Sequence, residues 1–182
     1  MTLLRLPRRR KWTAFGIAVT VLAFAAYVVF LSYANRSAKA HYAQLRDTHP
    51  DLYLSEIRKA LGFDHFLSEF RTMKGYDKVR ETVPPFLLGR WALFAEPKRV
   101  SDLYYPATCL NSIEIEDGKV RMLGAHAATR PATYRLDGDV VTAALGDGEA
   151  MKIRLVAYGA HLHHIELQPP GYGRTEYGYL CK

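Results

Sequence analysis

The chain has 182 residues, a length that holds one domain, or one domain plus an anchoring segment. Its formal net charge of +7 raises nucleic-acid binding, but Arg5, Arg8, Arg9, Arg10 and Lys11 concentrate the excess in a short tail. Without those five, 20 basic residues face 18 acidic ones, and a nucleic-acid surface needs its cations clustered on the folded domain, so that class is set aside.

Residues 1–11 form the basic tail, and no Asp or Glu precedes Asp47. From Trp12 through Asn35 there is no charged residue. A helix over 12–34 would be about 34 Å long at about 1.5 Å per residue, enough to cross a hydrocarbon core of about 30 Å. Trp12 at one end, and Tyr27 and Tyr33 toward the other, suit the interfacial preference of amphipathic rings. The positive-inside rule places the tail in the cytoplasm and exports the remainder. The expectation is an uncleaved signal anchor in a bacterial inner membrane, with a periplasmic C-terminal domain. Ala38-Lys39-Ala40 offers the rival reading of a cleaved signal peptide, but an h-region is typically about 7–15 residues, shorter than this run. A eukaryotic type II protein would have the same topology. Cys109 and Cys181 both fall in the exported part, where an even pair in a small domain is commonly bridged. Two buried free thiols are the alternative, and the spacing is not that of a redox Cys-x-x-Cys.

Residues 35–82 read as a helical neck. Ala38, Tyr42 and Leu45 recur at helical spacing, which would extend the span as a short stalk. Thr48-His49-Pro50-Asp51 reads as a restart, with Thr48 as N-cap and Pro50 and Asp51 in the first turn. Leu52, Tyr53, Ile57, Ala60 and Leu61 form an apolar stripe that Gly62 interrupts. After Asp64, Phe66, Leu67, Phe70 and Met73 share one face of a second helix. That face is expected to pack on the neighbouring domain, or else to meet a partner helix or the membrane surface. Gly75 and Val83-Pro84-Pro85 end the helical region.

Residues 83–182 read as an all-β domain. Asp117-Gly118 and Asp137-Gly138 separate short β-like runs, a strong hairpin signal, and Asp147-Gly148 and Gly159-Ala160 punctuate the chain similarly. Met151, Ile153 and Leu155 alternate with Lys152 and Arg154, as in a strand with one buried face. Eight strands are expected, over 88–95, 108–116, 119–123, 132–137, 139–145, 150–158, 162–168 and 175–181. Short connections imply an antiparallel meander, and an even count lets it close into a small barrel.

Gly89-Arg90-Trp91 opens the first of these strands, a helical turn precedes it, and a long loop, Glu96 to Ala107, follows it. In these features residues 86–182 resemble the lipocalin-like (calycin) barrels, whose signature is Gly-x-Trp. The resemblance implies a closed barrel with Gly89 and Trp91 at its signature position, a disulfide tying the C-terminal segment to a barrel strand, and a small apolar ligand or lipid. The domain is shorter than a typical lipocalin and no helix follows its last strand, so its interior is open to being filled by side chains.

Chemistry-bearing residues are sparse. In His161-Leu162-His163-His164, strand alternation puts His161 and His163 on one face and His164 on the other. Two imidazoles fall short of the three or four ligands of a zinc site, leaving His126 or Glu166 to complete one. Ile165 and Leu167 share the face of His163, which favours the rim of a core. Glu114 and Glu116 alternate with Ile113 and Ile115 and read as a solvated face. There is no Gly-x-Ser-x-Gly, P-loop, Gly-x-Gly-x-x-Gly or His-Glu-x-x-His, so no cofactor and no enzyme is expected. Tyr104-Tyr105-Pro106, with Tyr172, Tyr177 and Tyr179, reads as packing at the barrel end around Trp91, or as an interface or ligand mouth. The expected function is recognition or assembly with an envelope protein partner, or self-association, through Phe66, Leu67, Phe70, Met73, Tyr104 and Tyr105. The alternatives are a small apolar ligand in the barrel, and a metal-dependent activity at His161 and His163.

Overall fold

The computed structural model describes residues 8–98, 104–124 and 127–181, with side chains from Phe15 onward. The basic residues of the tail, the Trp12 ring and His126 therefore lie outside the described side chains. Contacts divide the chain into two units, one up to Pro50 and one from Asp51.

The first unit is one helix, α1 (Arg8–Thr48). It runs unbroken through the stalk expected at 36–47. Its apolar stretch buries nothing within the chain, and by length and composition it is able to cross a membrane, a test that an N-terminal signal sequence also passes. Two of its polar side chains bond back to the helix itself. Thr20 Oγ1 donates to Gly16 O at 3.0 Å and Ser32 Oγ to Val28 O at 2.8 Å, which suits a medium that offers no hydrogen bonds. Thr48 does not cap the next helix as expected. Its hydroxyl donates back to Gln44 O at 2.8 Å, so it closes α1, and the break falls at His49 alone.

Two short helices follow, α2 (Pro50–Leu61) and α3 (Phe63–Met73). Then eight strands close into a barrel in sequence order: β1 (Gly89–Phe94), β2 (Ser112–Glu116), β3 (Lys119–Leu123), β4 (Ala128–Asp137), β5 (Val140–Leu145), β6 (Ala150–Tyr158), β7 (His161–Leu167) and β8 (Glu176–Leu180). All neighbours are antiparallel, and β1 pairs with both β2 and β8, Trp91 lying between Ile113 and Leu180. Closure leaves no sheet edge, the main aggregation hazard of a β domain. Three expectations shift. β2 starts at Ser112, after the expected 108. β4 starts at Ala128, before the expected 132, because Pro131, which normally argues against a strand, is accommodated opposite Lys119. The β4–β5 loop is Gly138-Asp139, with Asp137 paired to Val140.

The barrel interior is filled by its own side chains. Trp91, Ile113, Ile115, Tyr134, Leu136, Ile153, Ile165 and Leu167 are each at most 2% exposed. Gly178 is needed there, since a Cβ on it would stand 2.6 Å from Ile165 Cγ1. Gly89 adopts φ 125°, a conformation that side chains resist, and a Cβ would press on Leu180 Cδ1 at 3.3 Å.

Beyond the end of β3, the segment after α3 completes the wall. Arg80 and Tyr134 exchange backbone hydrogen bonds of 2.9 and 2.7 Å, and Leu136 N donates to Tyr76 O. The neck helices fold onto this unit. Phe63, Phe66, Leu67 and Phe70 are buried, and the rings of Phe63, Phe66 and Phe70 surround Phe86 with centroids 5.3 to 5.9 Å away. Phe63 N and Arg58 Nε both donate to the β6–β7 turn, at Gly159 O and Ala160 O. Phe66, Leu67 and Phe70 are therefore not a free docking face, which corrects their reading as interface residues. Burying three aromatic or aliphatic side chains inside the chain stabilises it by several kcal/mol, roughly 1.5–3 each. Met73 is half-buried.

Candidate functional site

The histidine segment is where local structure departs most from simple alternation. Val156 pairs with His164 and Ala157 with Leu162, so the register shifts between them and His163 is an extra residue in β7. A β-bulge of this kind places two successive residues opposite one. The imidazoles of His163 and His164 consequently lie on the same side, their Nδ1 atoms 2.8 Å apart and both residues 6% exposed. The expected pairing of His161 with His163, with His164 opposed, is corrected: His161 is exposed, and the pair is His163–His164.

Aromatic rings surround the two imidazoles. His164 stacks on Tyr179 at 5.3 Å and 20°, while His163 meets Tyr158 edge-on at 4.9 Å and Tyr179 at 5.8 Å. Tyr179 in turn takes the edges of Tyr104 at 5.3 Å and Phe94 at 5.8 Å. Its hydroxyl accepts from Lys98 N at 2.8 Å. Tyr104 thus packs against the barrel wall, and Tyr105 is exposed. The sequence carries no signal that joins Tyr158, Tyr179 and His164, because only the bulge brings β7's second imidazole to the same side as Tyr158 of β6 and the tyrosines of β8.

Beside this cluster, at the barrel mouth, lies a cavity of about 230 Å³ lined by Trp91, Tyr104, Tyr105, His161, His163 and Arg58 among others. Trp91 is fixed there, its Nε1 donating to Leu87 O at 2.9 Å. The disulfide Cys109–Cys181, closing 72 residues with Cα atoms 6.4 Å apart, secures the same side of the barrel. Cys181 N donates to Arg90 O, and the Arg90 guanidinium donates to Cys109 O and Ser112 Oγ, so the bridge is held at both ends by one β1 residue.

The geometry is incompatible with two charged imidazoles. A contact between two Nδ1 atoms needs one ring to donate and the other to accept, which two imidazolium cations cannot do. Burial pushes the His164 pKa down, the neighbouring His163 adds to this, and Glu166, 3.8 Å from His164 Nε2, opposes it. Burial raises the Tyr179 hydroxyl. The cluster is thus a buried stack of His163, His164 and Tyr179, and the rings exposed beside it are those of Tyr158 and Tyr105. Among the described residues no group of three or more His, Cys, Asp or Glu is arranged to hold a metal ion, and His126 lies outside them. Glu114 and Glu116 are half-buried on β2 and share Arg121, at 3.2 and 2.6 Å. Hydrogen bonds from Lys119 and Arg121 hold the Glu116 carboxyl below its ordinary range, which makes both carboxylates members of a β2–β3 ion-pair network. Comparison of the chain with known protein families, with curated proteins and with solved structures finds no match.

Proposed function

We propose that this chain is a membrane-tethered, non-catalytic recognition domain that assembles with another protein of a bacterial envelope. In this reading α1 is an uncleaved anchor with a cytoplasmic N-terminus, and the barrel works in the periplasm. The Cys109–Cys181 bridge supports an oxidising compartment. We read the barrel as lipocalin-like on its eight-strand meander and on Gly89 and Trp91 at the start of β1.

The observation that carries the reading is the contrast between a barrel interior packed with its own side chains and the exposed rings of Tyr105 and Tyr158, set beside a buried aromatic–histidine cluster on β6, β7, β8 and the loop after β1. A packed interior disfavours a ligand held along the barrel axis, and moves any small apolar ligand to the cavity beside Trp91. Tyr-rich faces are enriched at interfaces because the ring is stiff and amphipathic. Affinity purification of the full chain in mild detergent tests the proposal. A partner recovered in constant ratio, and diminished by Tyr105→Ala with Tyr158→Ala, supports it. Repeated recovery of the protein alone overturns it.

A further inference from the structure

A second cavity, of about 440 Å³, lies among α2, α3 and the segment that follows α3. Its wall carries Arg58, Lys74 and Arg80, and its floor carries Leu54, Phe66 and Phe70. Arg58 is half-buried, its guanidinium carbon 5.2 Å from the centroid of Phe63 and 5.4 Å from that of Phe66. Its Nε donates to Ala160 O at 2.5 Å. Among the described residues no carboxylate pairs with Arg58 or with Arg80. Arg80 lies over the Tyr76 ring at 5.7 Å and donates to Lys74 O at 3.1 Å. Lys74 alone has an acidic partner, Asp51 at 2.6 Å. The cavity thus combines three cations with one carboxylate, an excess of two positive charges over an aromatic floor.

We propose that this cavity binds a phosphate-bearing amphiphile, its phosphate on Arg58, Arg80 and Lys74 and its apolar body on Leu54, Phe66 and Phe70. Guanidinium forks laid on ring faces are held in orientation and match the bidentate geometry of a phosphate. A phosphate monoester carries roughly −1.5 to −2 charge near neutral pH, which complements the excess. The volume falls within the range of about 300–1,000 Å³ usual for small-molecule sites, and the apolar floor gives a bare phosphate nothing to cover. Burial of Arg58 lowers its pKa, the cost of a cation taken from water without an anion, and a bound phosphate relieves it. The site shares Arg58 with the lining of the cavity beside Trp91 but none of the stacked tyrosine and histidine rings, and it does not rest on the protein–protein reading.

Calorimetric titration of the full chain in a non-ionic detergent tests this. Hexyl phosphate is expected to bind saturably and at least tenfold more tightly than inorganic phosphate, with hexanol inert. Lysophosphatidate and hexyl phosphate, compared in the same titration, distinguish a lipid from a soluble ester once hexyl phosphate has bound more tightly than inorganic phosphate. Arg58→Gln is expected to weaken binding at least tenfold. Ser55→Glu, which adds a carboxylate at a half-exposed position on the cavity wall, is expected to do the same without removing a packing contact. Equal affinity for inorganic phosphate and hexyl phosphate overturns the proposal, as does binding unchanged by Ser55→Glu in a folded variant.

Discussion

At the scale of single residues, two positions are under opposite constraints. Gly178 is small because Ile165 occupies the space a side chain would need. Gly178→Ala is expected to destabilise the barrel by about 1–3 kcal/mol, the range for overpacking a core, as a lowered urea midpoint with an unchanged slope; no change would mean that β7 yields freely. His164 is constrained by charge. Its folded pKa is depressed below the ordinary 6.5, so the unfolded chain takes up its proton first as pH falls. The stability it contributes is complete above about pH 6.5 and is lost as pH drops through the folded value. The groups facing it are His163, Tyr177, Tyr179 and Glu166, with Arg154 adding repulsion. His164→Gln is expected to flatten the fall in urea midpoint between pH 7 and 5, whereas His161→Gln, on an exposed ring, is expected to leave it intact. An identical slope in the two variants would show that the buried pair is not its source.

At the scale of elements, the strands were legible because each buried face repeats every second residue, as at Met151, Ile153 and Leu155. The bulge in β7 was not legible, because it depends on which residues of β6 lie opposite, and His161-Leu162-His163-His164 carries no signal of that register. The same distinction holds in α3. The apolar stripe at Phe66, Leu67 and Phe70 was readable as a face, but its partner, Phe86, became identifiable only once the chain had turned at Pro84-Pro85. The candidate site was half legible: Trp91, Tyr104, His163 and the cysteines stood out, while His164, Tyr158 and Arg58 acquire meaning only from tertiary contacts. The disulfide acts at this scale too. It joins the chain beyond β8 to the segment before β2 across 72 residues, and such a loop restricts the unfolded chain by about 4 kcal/mol. Cys109→Ser with Cys181→Ser is expected to lose roughly 2–4 kcal/mol of that stability, measured by urea unfolding, while retaining the far-ultraviolet spectrum of a β-barrel. A loss below about 0.5 kcal/mol would mean that the β1–β8 pairing already closes the barrel without it.

At the scale of the whole molecule, the chain joins a helix that buries none of its apolar surface to a barrel that buries nearly all of its own. The first is long and apolar enough to cross a membrane, as an N-terminal signal sequence also is. Because the face of α3 is covered from within the chain, the proposed recognition is placed on the barrel wall and mouth, where Tyr105 and Tyr158 are exposed. The central claim is that this wall meets a protein partner, and photo-cross-linking from single positions in the membrane-embedded full chain tests it most directly. A photoreactive residue at Tyr105 or Tyr158 is expected to give one discrete adduct, and the same residue at Lys119 on β3, distant in strand order, none. Equal labelling from all three positions, or none from Tyr105 and Tyr158, would contradict the account.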